Sequence, residues 1–350
     1  MSSVDGSITR EGRRVGQLIA GMGMAHSFMV LVDGDVWPKF GEADHHSTLL
    51  VDTSGKKVTF QELESRNGAR YAAQAETANL VRQAQKAQAS IARLRAETAE
   101  LKPDVIVVIG DDQMELLGPA NMPALSIFYG ERLQTKQSSS LARIRDIAPG
   151  DPLYPALEGY GIDRSRVWPG APDVALHLIK CLLEQNFDVG AMNAVADPEI
   201  AGIGHAFGIV AMRLMGETKI PMVPVFVNTY WPPNQFRAAR AYDLGLALRR
   251  AIDSLPGDQR VLLVASGGLS HFVTDEELDN QVIKALREAS EEDLRGLPEH
   301  LLNSGNSEIR NWVVVAAACR DMRLEWLDYD AVYRTPAGTG CGLAFGRWSP

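Results

Sequence analysis

Residues 105–109, Val-Ile-Val-Val-Ile, form an unbroken β-branched run that stops at Gly110-Asp111-Asp112-Gln113. Such a run suits a strand buried on both faces, which in practice is a parallel strand covered by helices on either side. The same grammar recurs: residues 223–227 lead into Asn228-Thr229-Tyr230, and residues 261–265 lead into Ser266-Gly267-Gly268-Leu269-Ser270-His271. Residues 15–24 read as a Gly-punctuated apolar strand that delivers Ala25 and His26. Between these runs, residues 172–185, 237–255 and 276–289 carry apolar positions at three- and four-residue steps and are expected to be helices. Residues 59–101, rich in Ala, Glu, Gln, Arg and Leu, predict one long or broken helix. The expected fold is therefore α/β, a mostly parallel or mixed central sheet with helices on both faces. One domain over residues 15–350 follows a polar arm over residues 1–14, and the Pro- and Gly-rich stretch 118–170 is expected to loop around the mouth of a crevice.

A net charge of −9 argues against a nucleic-acid surface, which needs clustered Lys and Arg. No apolar run approaches the roughly 20 residues that span a bilayer, and the first residues lack the apolar stretch of a secretory leader. A cytoplasmic protein with no membrane partner is the expectation. Cys181, Cys319 and Cys341 are widely spaced, which suggests neither a disulfide framework nor a thiolate zinc site.

Seven histidines are present. His177 lies within a helical run and His300 between charged stretches, so structural or exposed roles are expected for both. His26 and His271 each follow a strand and a Gly-rich turn that lets a ligand approach closely, which marks them as functional. His205 stands between glycines at a helix start, after Asp197-Pro198-Glu199, and acid–base work is open to it. His45 and His46 follow Asp44 in a polar loop, where adjacent histidines are more often solvated than ligating. Glu308, in Ser304-Gly305-Asn306-Ser307-Glu308, either caps the following helix, worth about 0.3–1 kcal/mol, or carries chemistry. Ligands of open α/β sheets gather outside the carboxyl ends of the strands, so His26, Asp112 and His271 are expected to share one cavity with Glu308.

At these residues the chain resembles the class III extradiol ring-cleavage dioxygenases of LigB type. Within that family it resembles the branch carrying GDDQ, similar to protocatechuate 4,5-, gallate and 3-O-methylgallate dioxygenases. The resemblance runs from His26 to Trp348 through seven ordered blocks: GMGMAHS, VVIGDDQMELL, NMPALSIFYGE, VPVFVNTYWPPNQ, ASGGLSHF, SGNSEIRNW and TPAGTGCGLAFGRW. It implies a LigB-like catalytic domain that opens a catechol-type ring with O₂. It also implies a non-haem iron(II) held on one face by two histidines and a carboxylate, leaving the other positions to a small aromatic diol and O₂. Carried over residue by residue, His26 matches the first iron histidine and Glu308 the iron carboxylate. The second iron histidine is replaced by Gln113, which could coordinate through its amide oxygen, with the loop Asp44-His45-His46 as the alternative source. His271 matches the catalytic base, and His205 the other active-site histidine, assigned as general acid, although Gly204 stands where the family has Asp. Asn228 and Tyr230 are candidate pocket-lining residues. A carboxylated ring needs an anchor, and Arg132, Arg237 and Arg334 lie near matched blocks without any ranking among them.

The replacement at Gln113 keeps two other classes open. One is a non-catalytic metal-binding or interaction protein; the other is a zinc hydrolase in the same crevice. The apolar block 335–348 is expected to be buried by the core or by a twin subunit, and a homodimer is expected on that ground.

Overall fold

The computed structural model describes residues 15–136, 147–216 and 218–350, so the polar arm 1–14 lies outside the described residues. The strands are β1 (Gln17–Met24), β2 (Val105–Gly110), β3 (Leu125–Phe128), β4 (Arg132–Thr135), β5 (Arg166–Pro169) and β6 (Gly190–Met192). They continue with β7 (Met222–Val227), β8 (Arg260–Ser266), β9 (His271–Val273), β10 (Arg323–Tyr333) and β11 (Thr339–Ser349). One mixed sheet runs β10-β11-β1-β8-β2-β7-β3-β6, with β9 pairing β11, while β4 and β5 pair apart from it. Its centre, β1-β8-β2-β7, is parallel throughout. β11 joins β1 antiparallel and β3 joins β7 antiparallel.

The uninterrupted apolar runs are explained by the two layers that cover the sheet. Val107, Ile109, Val223, Val225 and Leu263 point to one face, packed under the helices Pro172–Glu184, Ala238–Asp253 and Ile309–Ala318. Their alternates Ile106, Val108, Met222, Leu262 and Val264 point to the other, packed with the helices Thr77–Leu101 and His205–Val210. Each such buried side chain stabilises the fold by about 1.5–3 kcal/mol relative to exposure, so a polar residue on either face would be selected against.

Of the two forms expected for the stretch 59–101, the broken one is found: two helices, Phe60–Asn67 and Thr77–Leu101. The first opens on a capping box between Thr59 and Glu62 and is closed by Gly68 at φ 53°, a backbone state that costs glycine little. The stretch 118–170 is not only loop: it contributes β3, the β4–β5 pair and the helix Tyr154–Gly159, with residues 137–146 outside the described residues. The apolar block 335–348 is buried by its own chain, because β11 sits between β10 and β1, so it supplies no argument for a twin subunit. Among the described residues no helix is long and apolar enough to cross a membrane.

Candidate metal centre

The four parallel strands bring their carboxyl ends to one edge, and the chain leaves that edge with its polar residues. His26 follows β1, Gln113 follows β2, and His271 opens β9 after the glycine turn that ends β8. Two helix starts meet them from the sides. His205 is the first residue of the helix His205–Val210, and Glu308 closes the turn Ser304–Glu308 that precedes the helix Ile309–Ala318. His26 Nε2 lies 2.9 Å from Glu308 Oε2, and His271 Nε2 lies 3.2 Å from Glu308 Oε1. Gln113 Nε2 donates to Glu308 Oε1 at 3.2 Å, and the Gly268 N–H donates to Oε2 at 3.0 Å. Glu308 therefore does not cap its helix; its carboxylate is the hub of the site.

Each histidine has its other ring nitrogen engaged, which decides what it presents. The Ser266 hydroxyl donates to the Ala206 carbonyl at 2.6 Å, so it accepts from His26 Nδ1 at 3.0 Å and leaves Nε2 toward Glu308. The Tyr160 hydroxyl bonds the His26 carbonyl and fixes the same turn. His271 Nδ1 donates to the Leu269 carbonyl at 2.9 Å, and its backbone N–H donates to Asn306 Oδ1 at 2.8 Å. A Cβ at Gly305 would stand 2.1 Å from His271 Cδ2, so only glycine allows this approach. Glu115 grips His205 twice, accepting from its backbone N–H at 2.8 Å and pairing with Nδ1 at 2.7 Å. A Cβ at the adjoining Gly204 would meet Glu115 Oε2 at 1.9 Å. A carboxylate or hydroxyl behind an imidazole, fixing its tautomer, is the arrangement that orients metal-ligating histidines.

Charge follows the same geometry. Burial works against ionised Glu308, but the imidazoles of His26 and His271 outweigh it and hold its carboxyl well below the usual range. Burial also works against charged His271, yet Glu308 lifts it well above the ordinary histidine value. For His205, burial is outweighed by Glu115, which pushes it up to about 9. Asp111, at the end of β2, is raised to about 6 by burial and then by Glu308, with His26 and His205 opposing. Both Asp111 carboxylate oxygens are buried without a hydrogen-bond partner, an orphaned anion of the kind that a bound cation accounts for. One atom each of His26, His205 and Glu308 lies within 4.8 Å of the others, and all three residues are buried. Two imidazoles and a carboxylate at that spacing, with a second buried carboxyl beside them, fit a divalent cation.

The cluster lies in the wall of a cavity of about 440 Å³, a volume in the usual range for small-molecule sites. His26, Gln113, His205, His271 and Glu308 all line it, and so do His46, Asp44 and Arg334. Other expected residues do not. Asp112 instead accepts the backbone N–H groups of Glu115, Leu116 and Leu117 and shapes the turn after β2. Asn228 holds the Trp231 carbonyl and Asn234, and the Tyr230 hydroxyl pairs with Ser304, so both brace loops outside the cavity. His45 packs on the Phe60 ring at 3.8 Å, and His177 bonds the Ala251 carbonyl at 3.0 Å. Arg132 and Arg237 are exposed, away from the cavity. Glu115, Ser266 and Asp111 were not singled out from sequence; all three sit inside motif blocks, but only three-dimensional proximity brings them to the site.

A family model described as the catalytic LigB subunit of aromatic ring-opening dioxygenase matches residues 72–344, more than three quarters of the chain. The chain is 28% identical over 185 residues to a 2,3-dihydroxyphenylpropionate/2,3-dihydroxicinnamic acid 1,2-dioxygenase of Comamonas testosteroni, covering 52% of this chain and 47% of that protein. It is 31% identical over 163 residues to an enzyme of the same name from a Rhodococcus species, covering 44% and 47%. A gallate dioxygenase of Pseudomonas putida is 59% identical over 57 residues, 16% of each chain. The chain spans about half the length of the curated relatives matched over the longest stretches. On the length of the family match, the chain belongs to the LigB family, the catalytic subunits of aromatic ring-opening dioxygenases.

Proposed function

We propose that this chain is an extradiol dioxygenase that opens a catechol-type ring with O₂ at a single iron(II). The observation that carries the reading is the buried group His26, His205 and Glu308 in a cavity wall with His271 beside it. In this reading His26 and Glu308 hold the metal, and His205 takes the place that Gln113 cannot fill as well. An amide oxygen is a weaker donor than imidazole, and Gln113 turns its amide nitrogen toward Glu308. When bound, iron(II) supplies the redox chemistry that joins O₂ to a diol chelated through both oxygens. The protein supplies the rest. Phe28, Phe40, Leu49 and Phe272 line the cavity and exclude water from the ring.

His271 handles the proton at Nε2, the nitrogen left by the Nδ1 bond to Leu269. Its charged form owes its support chiefly to Glu308; were Glu308's charge shared with a cation, the ring would shift toward the neutral form that can accept a hydroxyl proton. The same reading has the protein act in the cytoplasm on a small aromatic diol, as a homodimer. The test is anaerobic reconstitution with iron(II), followed by O₂ uptake and absorbance of ring-opened product over a panel of catechols. Stoichiometric O₂ uptake with at least one diol is expected. An iron-loaded protein that consumes none, or a zinc-loaded one that hydrolyses esters instead, overturns the reading.

A further inference from the structure

The cavity that holds the histidines also holds a buried ion pair. Arg334 Nε donates to Asp44 Oδ2 at 2.7 Å and Nη2 donates to Oδ1 at 2.7 Å, a two-bond match of guanidinium to carboxylate. The third nitrogen, Nη1, faces Met29 Sδ at 3.5 Å. Each side chain is 7% exposed. Two separate elements fix the pair: Asp44 ends the helix Trp37–Asp44, and Arg334 sits in the β10–β11 turn with its backbone N–H on the Thr339 carbonyl at 2.8 Å. Among the described residues Arg334 is the only Lys or Arg lining the cavity, and it was one of three cations that sequence offered as anchors for a carboxylated ring.

We infer that the Asp44–Arg334 pair makes this site select diols whose ring substituent is uncharged and apolar, and disfavours rings that carry a carboxylate. The inference rests on the ring-opening reading and names its substrate class. Among the described lining residues, the one guanidinium or ammonium that could receive a carboxylate already has an anion on two of its three nitrogens. A second carboxylate entering beside Asp44 would be desolvated with no unpaired guanidinium or ammonium among the described lining residues and would meet a like charge. An apolar substituent meets the opposite conditions, since Phe28, Phe40, Leu49, Leu153 and Phe272 line the same space. Arg334 in this account is a wall element that ties the helix Trp37–Asp44 to the hairpin, and it does not anchor substrate.

The test compares 4-methylcatechol with 3,4-dihydroxybenzoate, which present the same diol and differ in one substituent. Binding to iron-loaded protein is measured by calorimetry without oxygen, and ring opening is then measured with oxygen. The methyl compound is expected to bind at least about tenfold more tightly, the size of a poorly compensated buried charge. Equal or tighter binding of the carboxylate overturns the inference, and ring opening of that compound leaves the dioxygenase reading standing. If neither diol binds nor opens, both fall together. A paired variant, Asp44→Leu with Arg334→Leu, avoids stranding either charge. It is expected to bind the carboxylated diol as well as the native protein does, within a few-fold. A tenfold or greater loss would make Arg334 an anchor and contradict the inference.

Discussion

Ser270 and His271 are neighbours in the chain and face two different buried carboxyls. Ser270 donates to Asp279 from its backbone N–H at 2.7 Å and from its hydroxyl at 2.8 Å, and the Tyr329 hydroxyl adds a third bond at 2.8 Å. His271 meets Glu308, which also meets His26. Both carboxyls are fully buried. Yet Asp279 is pushed up to about 7 by burial, its neutral donors offsetting only part of that, whereas Glu308 is held well below the usual range by two imidazoles. Burial alone turns a carboxyl toward its neutral form; basic neighbours keep it an anion. The second kind is already an anion that can hold a cation, and among the described residues it is around Glu308 that imidazole nitrogens converge. The pair thus separates a carboxyl that braces the turn before His271 from one that faces the imidazoles of the cavity.

The widest expected separation is kinetic. His271→Gln should retain iron and lose on the order of 10²–10⁴-fold in turnover, the usual worth of a positioned proton-transfer group. Steady-state O₂ uptake on iron-loaded protein reads it, and an unchanged rate would remove His271 from the chemistry.

Next in size is a pH effect at Asp279. Its folded pKa, about 7, lies above its ordinary value of 3.8, so its contribution to stability is complete below pH 3.8 and is lost as pH rises through 7. Denaturant unfolding from about pH 4 to pH 7.5 should therefore show native protein losing up to about 4 kcal/mol relative to Asp279→Asn. A pH-independent difference would place Asp279 with Glu308 as a permanent anion. Smaller again, Glu115→Gln should weaken iron binding by about 10–100-fold, as for other groups behind a ligating histidine. No change would return the third ligand position to Gln113 or to the loop carrying His46.

The fold was legible because its determinants are local and repeated. The runs ending at Ile109, Val227 and Ala265 are apolar on both faces, and a strand with two covered faces can satisfy that pattern where an amphipathic element cannot. Boundaries were less so: the helical stretch 59–101 breaks at Gly68, a position that composition over those residues averages away. His26, His271 and Glu308 could be found because strand ends and glycine turns announce them. Asn228 and Tyr230 lie beside the same strand ends yet brace a loop, since a motif fixes where a residue leaves the sheet and not which way its side chain turns. Asp111, Glu115 and Ser266 acquire meaning only from partners distant in the chain: Glu115 grips a histidine 90 residues away, and Ser266 one 240 residues away. No periodicity records such a pairing.

The most direct test of the central claim is an anaerobic iron(II) titration of three proteins with metal content read after desalting. The account predicts one equivalent bound by native protein and by His271→Gln, and none by Glu308→Ala, which removes the anion that balances the cation. Iron retained in full by Glu308→Ala but stripped from His271→Gln would contradict it.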